Sequence, residues 1–361
     1  MKFLRLAFYV LVAQLVLSGC AGEGVEETSS SSSSEINFDA YVGRDASTRS
    51  NITDIGFLKS KEWNAGFGVF ARYGNTHLMD TEHVTWRDDH WGYDHIRFWP
   101  SSGKVDFYAF ARYVDIVRMG PLPNTLGNST EETYINFPSN DNPIDLIWAK
   151  KTGQEAPTSP GSKVTFQFKH ALSRLSFKIT ANQKLLEDGA VIKVKEVRLY
   201  GANETSGIFL MGGYLNLNSE SGDWVPYDNN GIKWFYTWTE TGTKDGVNDS
   251  IQKKDGPVLK LSASKLDIKH TSITNDGDSY IFIIPQDLPE NINIMITYTV
   301  EQGNFKEEDV TVKKNLRDVL LKKDREFKFE QGKAYVFNLK LLDPVNFSVT
   351  ADVNPWGKDD Q

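Results

Sequence analysis

Residues 164–179 read VTFQFKHALSRLSFKI, and apolar and polar side chains alternate along both halves of this stretch. Successive side chains of an extended chain point to opposite faces, so a period of two predicts two half-buried β-strands. The same alternation recurs in four further stretches, which are INFDAYV (36–42), IKVKEVRLY (192–200), INIMITYTV (292–300) and AYVFNLKL (334–341). The sequence therefore predicts an all-β fold built of Greek-key-like sandwiches.

Short turn signals stand between the alternating stretches. They are Gly74-Asn75, Ser102-Gly103, Asn230-Gly231 and Asp276-Gly277, pairs that form tight turns at little steric cost. A helical period of useful length occurs once, in VKKNLRDVLLKKD (312–324), where a charged connection is the alternative. In the strand DFYAF (106–110), either Phe107 with Ala109 or Tyr108 with Phe110 faces the core, and the alternation leaves both choices open.

The length of the chain favours two domains, because 361 residues are more than one hydrophobic core usually serves. The stretch KKTGQEAPTSPGSK (150–163) is rich in Pro, Gly, Thr and Ser, which is typical of a domain boundary. We expect an N-terminal β-sandwich domain at 35–151, a linker at 152–162 and a C-terminal β-sandwich domain at 163–361.

The N-terminus has the layout of a lipoprotein signal peptide at residues 1–19. Lys2 and Arg5 precede an apolar run at 6–17, and VLSGC (16–20) ends at Cys20, the single cysteine of the chain. The run is short for a permanent membrane span, and the residues before Cys20 resemble the bacterial lipobox. We expect lipidation of Cys20, the alternative being an ordinary signal peptide with an incidental cysteine. Residues 20–34, acidic and then rich in serine, predict a flexible tether.

Composition excludes some classes of function. The net charge is −8 and no basic stripe runs along the chain, which argues against a nucleic-acid partner. No G-x-S-x-G elbow, P-loop or G-x-G-x-x-G motif is present. We therefore expect no enzymatic activity and no cofactor.

The stretch HLMDTEHVTWRDDHWGYDHIRFW (77–99) holds four of the six histidines together with several carboxylates. These groups suit zinc or manganese, but no recognised ligand spacing occurs, and residues five apart on a strand lie on opposite faces. The simpler interpretation is a polar hairpin without a metal, in which the inward side chains are Trp86, Trp91, Ile96 and Phe98.

A second stretch, DWVPYDNNGIKWFYTW (223–238), concentrates aromatic residues around Asn230-Gly231. Inward-facing aromatic side chains ordinarily fill the core of a β-sandwich. The alternative is an exposed face on which Trp224 and Trp238 stack against sugar rings, as in a lectin.

Several motifs, taken in order, resemble the fimbrillin family, the lipoprotein pilins of Bacteroidia and their Mfa-like relatives. They are FWPSSGKVDFYAFARY (98–113), DLIWAKK (145–151), VTFQFKHALSRLSFKI (164–179), IIPQDL (283–288), FEQGKAYVFNLKL (329–341) and FSVTADVNPWG (347–357). The resemblance covers nearly the whole chain. It implies two tandem transthyretin-like β-sandwich domains and a lipoprotein on the outer membrane surface.

The resemblance also implies how such a subunit assembles. A trypsin-like protease cuts after an arginine near the N-terminus, and the groove left by the first strand accepts a strand from a neighbouring subunit. Here residues 35–49 are the candidate propeptide strand, with Ile36, Phe38 and Ala40 on one face. Arg49 is the preferred cleavage residue and Arg44 the second choice, since both follow the strand in a polar stretch.

The C-terminal residues 345–361 are the candidate donor strand, with Phe347 and Val349 as its plugs. The same short stretch could equally close its own domain. The expected partners are other pilin subunits, the outer membrane through the lipid, and a glycan or protein receptor. A tip adhesin or lectin is the alternative function.

Overall fold

The protein is built of β-strands with three short helices among the residues described. The computed structural model describes residues 34–43, 52–114, 117–121, 132–137, 144–201, 212–226, 236–239, 242–245, 259–261, 266–268, 281–290, 292–321, 326–343 and 346–356. All six alternating stretches form strands over most of their length. The all-β fold class is confirmed.

The first part of the chain contributes ten strands and a helix. They are β1 (Asn37–Tyr41), α1 (Ile55–Leu58), β2 (Phe67–Tyr73), β3 (Thr76–Arg87), β4 (His90–Gly92), β5 (Val105–Ala111), β6 (Arg118–Pro121), β7 (Thr133–Phe137), β8 (Ile147–Gln154), β9 (Lys163–Gln167) and β10 (Lys169–His170).

Fifteen strands and two helices follow. They are β11 (Ser173–Ala181), α2 (Gln183–Glu187), β12 (Val191–Gly201), β13 (Gly213–Asn216), β14 (Asp223–Pro226), β15 (Tyr236–Thr239), β16 (Gly242–Asp245), β17 (Leu259–Leu261), β18 (Leu266–Ile268), β19 (Ile281–Ile283), β20 (Gln286–Asp287), β21 (Ile292–Gln302), β22 (Phe305–Asn315), α3 (Leu316–Leu320), β23 (Lys328–Phe329), β24 (Lys333–Asp343) and β25 (Asn346–Pro355).

A six-stranded sheet in the order β10-β8-β5-β2-β3-β4 lies between two smaller sheets. One face packs against the parallel pair β1-β9, and the other packs against the sheet β14-β13-β7-β6. The central strand β5 is buried on both faces, with Phe107 and Ala109 in one core and Tyr108 and Phe110 in the other. The alternation left open which of these two pairs faces the core. Both pairs do, because each face of this sheet is covered by another sheet.

A separate core lies between two further sheets in the second half of the chain. The order of one sheet is β18-β11-β24-β25, with β19 also paired to β11, and the order of the other is β16-β15-β12-β21-β22, with β17 paired to β12. The remaining pair is β20-β23. Alternate residues of β21 face this core, namely Ile292, Ile294, Ile296, Tyr298 and Val300. The period of two seen in the sequence thus builds a two-layer sandwich.

Strand pairing crosses the expected domain boundary. β9 pairs with β1, β10 pairs with β8, and β13 pairs with β7, so three strands C-terminal to residue 162 pair directly with strands of the first part. β8 itself continues to Gln154. The division into 35–151 and 163–361 stays a prediction.

The helix expected at 312–324 is wrong over its first four residues, which extend β22 as an edge strand on β21. Val310 and Val312 pack against the core two residues apart, so the period of two prevails over the helical one. Among the described residues of this stretch, Leu316–Leu320 are helical, and the Asn315 side chain caps this helix by accepting hydrogen bonds from the amides of Arg317 and Asp318.

Two of the expected turns are confirmed. Gly74-Asn75 joins β2 to β3 in a two-residue loop, with a φ of 57° at Gly74 that glycine adopts without strain. Gly103 has a φ of 84°, and the Tyr73 hydroxyl donates to the carbonyl of the preceding Ser102. Asn230-Gly231 and Asp276-Gly277 lie outside the described residues.

Candidate functional site

The first strand of the chain is seated in a hydrophobic groove. Ile36 and Phe38 are fully buried and Ala40 is partly buried on the same face, as the alternation predicted. The Phe38 ring lies within 6.5 Å, centroid to centroid, of four other aromatic rings, which belong to Phe67, Tyr93, Phe107 and Phe166. Phe38 therefore acts as a plug that fills an aromatic pocket.

The backbone of this strand is held on both edges. β1 runs parallel to β9 over five residue pairs, from Asn37 with Lys163 to Tyr41 with Gln167. At its N-terminal end the Ile36 amide donates to the Arg97 carbonyl and the Trp99 amide donates to the Ser34 carbonyl, both at 2.9 Å. β1 is thus paired along one edge by β9, and the segment just before it is bridged to Phe98 on the other edge.

Tyr93 fastens the start of β1 with its hydroxyl. The hydroxyl donates to the Ile36 carbonyl at 2.8 Å and accepts from the Arg97 amide at 3.2 Å. Burial raises the pKa of Tyr93 above its usual value, so the donor stays protonated at neutral pH. The sequence carried no signal for this contact, because the two partners are 57 positions apart.

The residues expected to be modified are Cys20, Arg44 and Arg49, and all three lie outside the described residues. The lipidation and cleavage sites stay predictions. The structure does describe the residues on both sides of the expected cleavage region, which are 34–43 before it and Ile52 and its successors after it.

The chain that resumes at Ile52 is anchored on a buried carboxylate. The Thr53 amide donates to Asp145 Oδ2 and the Thr53 hydroxyl donates to the Asp145 carbonyl, both at 2.7 Å. His170 Nδ1 lies 3.0 Å from Asp145 Oδ1. Arg112 donates to the Thr53 hydroxyl oxygen and to the Ile52 carbonyl, both at 3.2 Å. Burial lowers the pKa of Arg112, while the nearby Asp145 raises it.

The C-terminal end of β25 reaches the same place through stacked rings. The Trp356 indole stacks on His170 at 4.1 Å and on Phe282 at 5.5 Å, with interplanar angles of 5° and 3°. The Arg174 guanidinium lies 5.4 Å from the Trp356 ring. The segment after the expected cleavage site and the end of β25 are thus linked through His170, which sequence reasoning missed because no spacing connects these residues.

The candidate donor strand is an edge strand of its own sheet. β25 pairs with β24, the inner neighbour in the order β18-β11-β24-β25. Phe347 is fully buried and Val349 is 5% exposed, and both lie in the core of the second half of the chain. The Lys314 ammonium lies 5.5 Å from the Phe347 ring. In this structure the two expected plugs close their own core.

The histidine-rich stretch forms the hairpin of β3 and β4 and the segment after it. His95 lies 3.0 Å from Glu82, and Arg87 donates to Asp94 at 2.6 Å, which lowers the pKa of this exposed carboxylate. His83 stacks on Tyr113 at 3.7 Å and contacts the Ala65 carbonyl, and burial lowers its pKa. Throughout the part of the chain that the structure describes, no group of three His, Cys, Asp or Glu residues is placed to hold a metal ion.

The expected inward side chains of this stretch are correct in part. Trp91 is buried and Trp86 packs against the same core. Ile96 and Phe98 are 40% and 51% exposed, so their inward assignment is wrong. The strand β4 ends at Gly92, so the alternation of inward and outward side chains does not continue to Ile96 and Phe98. The side chain of Trp99, next to Phe98, is buried instead.

The second aromatic stretch is described only at its two ends. Trp224 packs against the core on the β6-β7 side of the central sheet, and its indole donates to the Ala171 carbonyl at 2.9 Å. Residues 227–235 lie outside the described residues. Core packing, the interpretation preferred from the sequence, is correct for Trp224.

No helix within the described ranges combines the length and apolar character needed to cross a membrane.

Comparison with known proteins identifies the family of this all-β chain. The chain matches the model of the fimbrillin-like family over residues 48–356 and belongs to that family. The resemblance seen in the sequence is confirmed.

Two individual proteins that match this chain share at most about a third of their residues with it over the matched region. The fimbrium subunit Fim1C of Phocaeicola vulgatus strain ATCC 8482 is 30% identical over 190 residues, which span 46% of this chain and 49% of that protein. The match thus spans about half the length of this relative. A crystal structure of a fimbrial protein from Bacteroides vulgatus ATCC 8482 has a TM-score of 0.59 and 17% identity, covering 89% of this chain and 99% of that one. At this identity the likeness concerns the fold.

Proposed function

We propose that this chain is a structural subunit of a cell-surface fimbrium, without catalytic activity, that polymerises by protease-triggered donor-strand exchange. The observation that carries the proposal is the seating of β1, whose plug Phe38 fills an aromatic pocket and whose backbone forms a parallel ladder with β9, with a bridge to Phe98 just before the strand. A strand held in this way leaves a groove with unpaired backbone groups and an apolar slot when it departs.

The covalent link between β1 and the rest of the chain controls the exchange. While residues 44–51 are intact, β1 returns to its groove at a high effective concentration that no separate strand can match. Cleavage after Arg49, or after Arg44, removes this advantage and a neighbour's C-terminal strand can then enter. The contact is head-to-tail, so repetition makes an open filament.

The proposed location is the outer membrane surface. Acyl chains on Cys20 would hold the precursor there, since each buried methylene contributes about 0.8 kcal/mol. Other subunits of the same or related sequence are the proposed partners, and the filament would support adhesion to a glycan or protein receptor. The fimbrium subunit Fim1C, the relative described above, supports this assignment.

The anchor is tested by metabolic labelling with a radioactive fatty acid in the native host. Wild type should incorporate the label, and Cys20→Ser should not, because it lacks the thiol that is acylated. A labelled Cys20→Ser protein would contradict the assignment of the lipid to this residue.

Assembly is tested by treating the purified precursor with an arginine-specific protease and separating the product by electrophoresis without boiling. Wild type should give a ladder of oligomers. The double variant Arg44→Lys, Arg49→Lys keeps both charges and should stay monomeric, because such a protease does not cut after lysine. Arg118→Lys, at an exposed arginine in β6, is the matched control and should polymerise like wild type. A ladder from the double variant would overturn the proposed cleavage site.

A further inference from the structure

The first and the last strands of the chain share a sequence pattern. Residues 36–42 read INFDAYV and residues 345–351 read VNFSVTA, with Asn and Phe identical at the second and third positions. Both segments have apolar residues at the first, third, fifth and seventh positions. In the structure Phe38 and Phe347 are both fully buried, each in the core of its own sheet.

We propose that the C-terminal strand of a second copy of this chain replaces β1 in the same direction and in one register, with Phe347 in the pocket of Phe38. This inference rests on the proposed function and specifies the partner strand and its register. Val345 then takes the place of Ile36, Val349 that of Ala40 and Ala351 that of Val42.

The side chains of the two strands fill the groove to nearly the same volume. The aromatic pocket receives the same ring in both cases. Val349 adds two carbons where Ala40 stands, while Val345 and Ala351 together remove three from the positions of Ile36 and Val42. The difference is one carbon over four positions, and cores tolerate swaps that conserve volume.

The proline before this segment fits the same register. Pro344 falls at the position of Glu35, which forms an isolated bridge with Phe98. The two hydrogen bonds of that bridge come from the Ile36 amide and the Ser34 carbonyl, so the bridge does not need an amide at position 35. A residue without a backbone N–H is accepted there.

Other registers of the donor strand lose either the filling of the Phe38 pocket or the favourable position of Pro344. A shift by two residues that brings Pro344 to the position of Asn37 puts proline into the ladder with β9. The opposite shift puts Val349 into the pocket of Phe38 and leaves it underfilled. Insertion of the same seven residues in the reverse direction also puts Val349 there and leaves the pocket underfilled.

The position of β25 makes it available as a donor. As an edge strand it is released by breaking one ladder, that with β24. Insertion beside β9 forms a new parallel ladder and restores the bonds to Arg97 and Trp99. The ring of Phe347 is buried before and after the exchange, while its own core is left without it and the ring of the released Phe38 becomes exposed.

Disulfide trapping tests the register. β9 residue Thr165 is exposed and pairs with Asp39, a position that the proposed register gives to Ser348. Paired residues of neighbouring strands lie about 4.8 Å apart, within the Cα separation that a disulfide spans. In a Cys20→Ser background, the variant Ser348→Cys, Thr165→Cys should form intersubunit disulfides after cleavage by the arginine-specific protease.

The matched variant Thr350→Cys, Thr165→Cys places a thiol on the same partner residue but two positions along the donor. The first pair should cross-link at least about tenfold more efficiently on a non-reducing denaturing gel, because the second pair is offset by a full strand repeat. Preferential cross-linking of the second pair would show a strand shifted by two residues, with Val349 in the pocket of Phe38, and overturn the inference.

The same gels separate the two levels of the proposal. A ladder on the unboiled gel without cross-linking of either pair would leave assembly intact and overturn the register. Absence of a ladder from the cleaved wild type would overturn the proposed function, and the register with it. The uncut variants should melt near the wild-type temperature, since Thr165 and Thr350 are exposed and Ser348→Cys is a nearly isosteric change at a partly buried position.

Discussion

Phe38 shows how much a single side chain can decide in this protein. It is the one large side chain that β1 contributes to the groove, and it contacts rings from three other strands and from the segment around Tyr93. Tyr41, on the opposite face of the same strand, is 56% exposed. Alternation along β1 therefore divides its residues into those that hold the strand and those that do not.

Phe38→Ala should lower the free energy of unfolding of the uncut chain by about 3–5 kcal/mol, because it leaves a cavity among four rings. Urea denaturation of both variants measures the effect. Tyr41→Ala is the matched control on the same strand and should change the stability by less than about 0.5 kcal/mol. Equal losses for the two variants would mean that the groove does not hold β1 through Phe38.

Tyr335 is a second residue whose role follows from its surroundings. Its hydroxyl donates to the Lys328 carbonyl and accepts from the Glu330 amide, and burial raises the pKa of the side chain to about 12. The unfolded chain loses this proton near pH 10, so the neutral hydroxyl stabilises the fold fully below pH 10. The stabilisation declines as pH rises from 10 towards 12.

Between pH 10 and 12, wild type should lose about 2 kcal/mol more stability than Tyr335→Phe, which cannot ionise at this position. Thermal or urea unfolding at a series of pH values gives the comparison. All other tyrosines and lysines are present in both proteins, so the difference isolates Tyr335. Parallel stability curves above pH 10 would refute the raised pKa.

At the scale of elements, β5 is the most informative strand. Its neighbours are β2 and β8, and both of its faces are covered, so Phe107 and Phe110 belong to two different cores. The alternation of DFYAF could only show which residues share a face. Whether a face is buried depends on strands far away in sequence, such as β1 on one side and β7 on the other.

Phe107→Leu and Phe110→Leu should each destabilise the fold by about 1–2 kcal/mol. Their effects should add, with a coupling below about 0.5 kcal/mol, because the two rings lie on opposite faces and share no partners. Phe107→Leu combined with Phe38→Leu provides the contrast, since those rings are 5.9 Å apart and should couple. A large coupling between positions 107 and 110 would contradict the three-layer arrangement.

In the region 312–324, Val312 fits both the helical period of about 3.6 residues and, together with Val310, the strand period of two. A helix requires many consecutive residues to gain stability, whereas a strand beside β21 gains a hydrogen-bonded neighbour at once. Asn315 ends this strand and begins a short helix in one residue. The helical prediction failed where an edge position on a sheet was available.

At the scale of the whole molecule, Asp145 connects distant parts of the chain. It accepts from Thr53, four residues after the proposed cleavage site, and contacts His170, which stacks on Trp356 near the C-terminus. Asp145 is fully buried. The amide of Thr53, shielded from water by the fold, is left without an acceptor when the carboxylate is removed.

Asp145→Ala should cost about 3 kcal/mol of stability, because the Thr53 amide is left buried without an acceptor. Asp94→Ala, which removes the exposed partner of Arg87, is the control and should leave the melting temperature unchanged. Differential scanning calorimetry of both variants gives the result. An unchanged melting temperature for Asp145→Ala would show that the anchor of Thr53 is dispensable.

The amino-acid sequence alone determined the all-β class, six of the strands and the inward face of β1. These features follow from the period of two, which is a local property of an extended backbone. The family resemblance was equally visible, since its motifs are short and keep their order along the chain. The expected lipidated and cleaved residues also came from the sequence and stay predictions.

Only the tertiary structure decided what lies on the two faces of the central sheet, which residues surround Phe38 and where the partners of Asp145 stand. It also placed Ile96 and Phe98 at the solvent-exposed surface, whereas the sequence had predicted them to face inward. Each of these outcomes depends on contacts between residues tens of positions apart. Alternation sets the face of a side chain, but burial and pairing depend on which strands pack against that face.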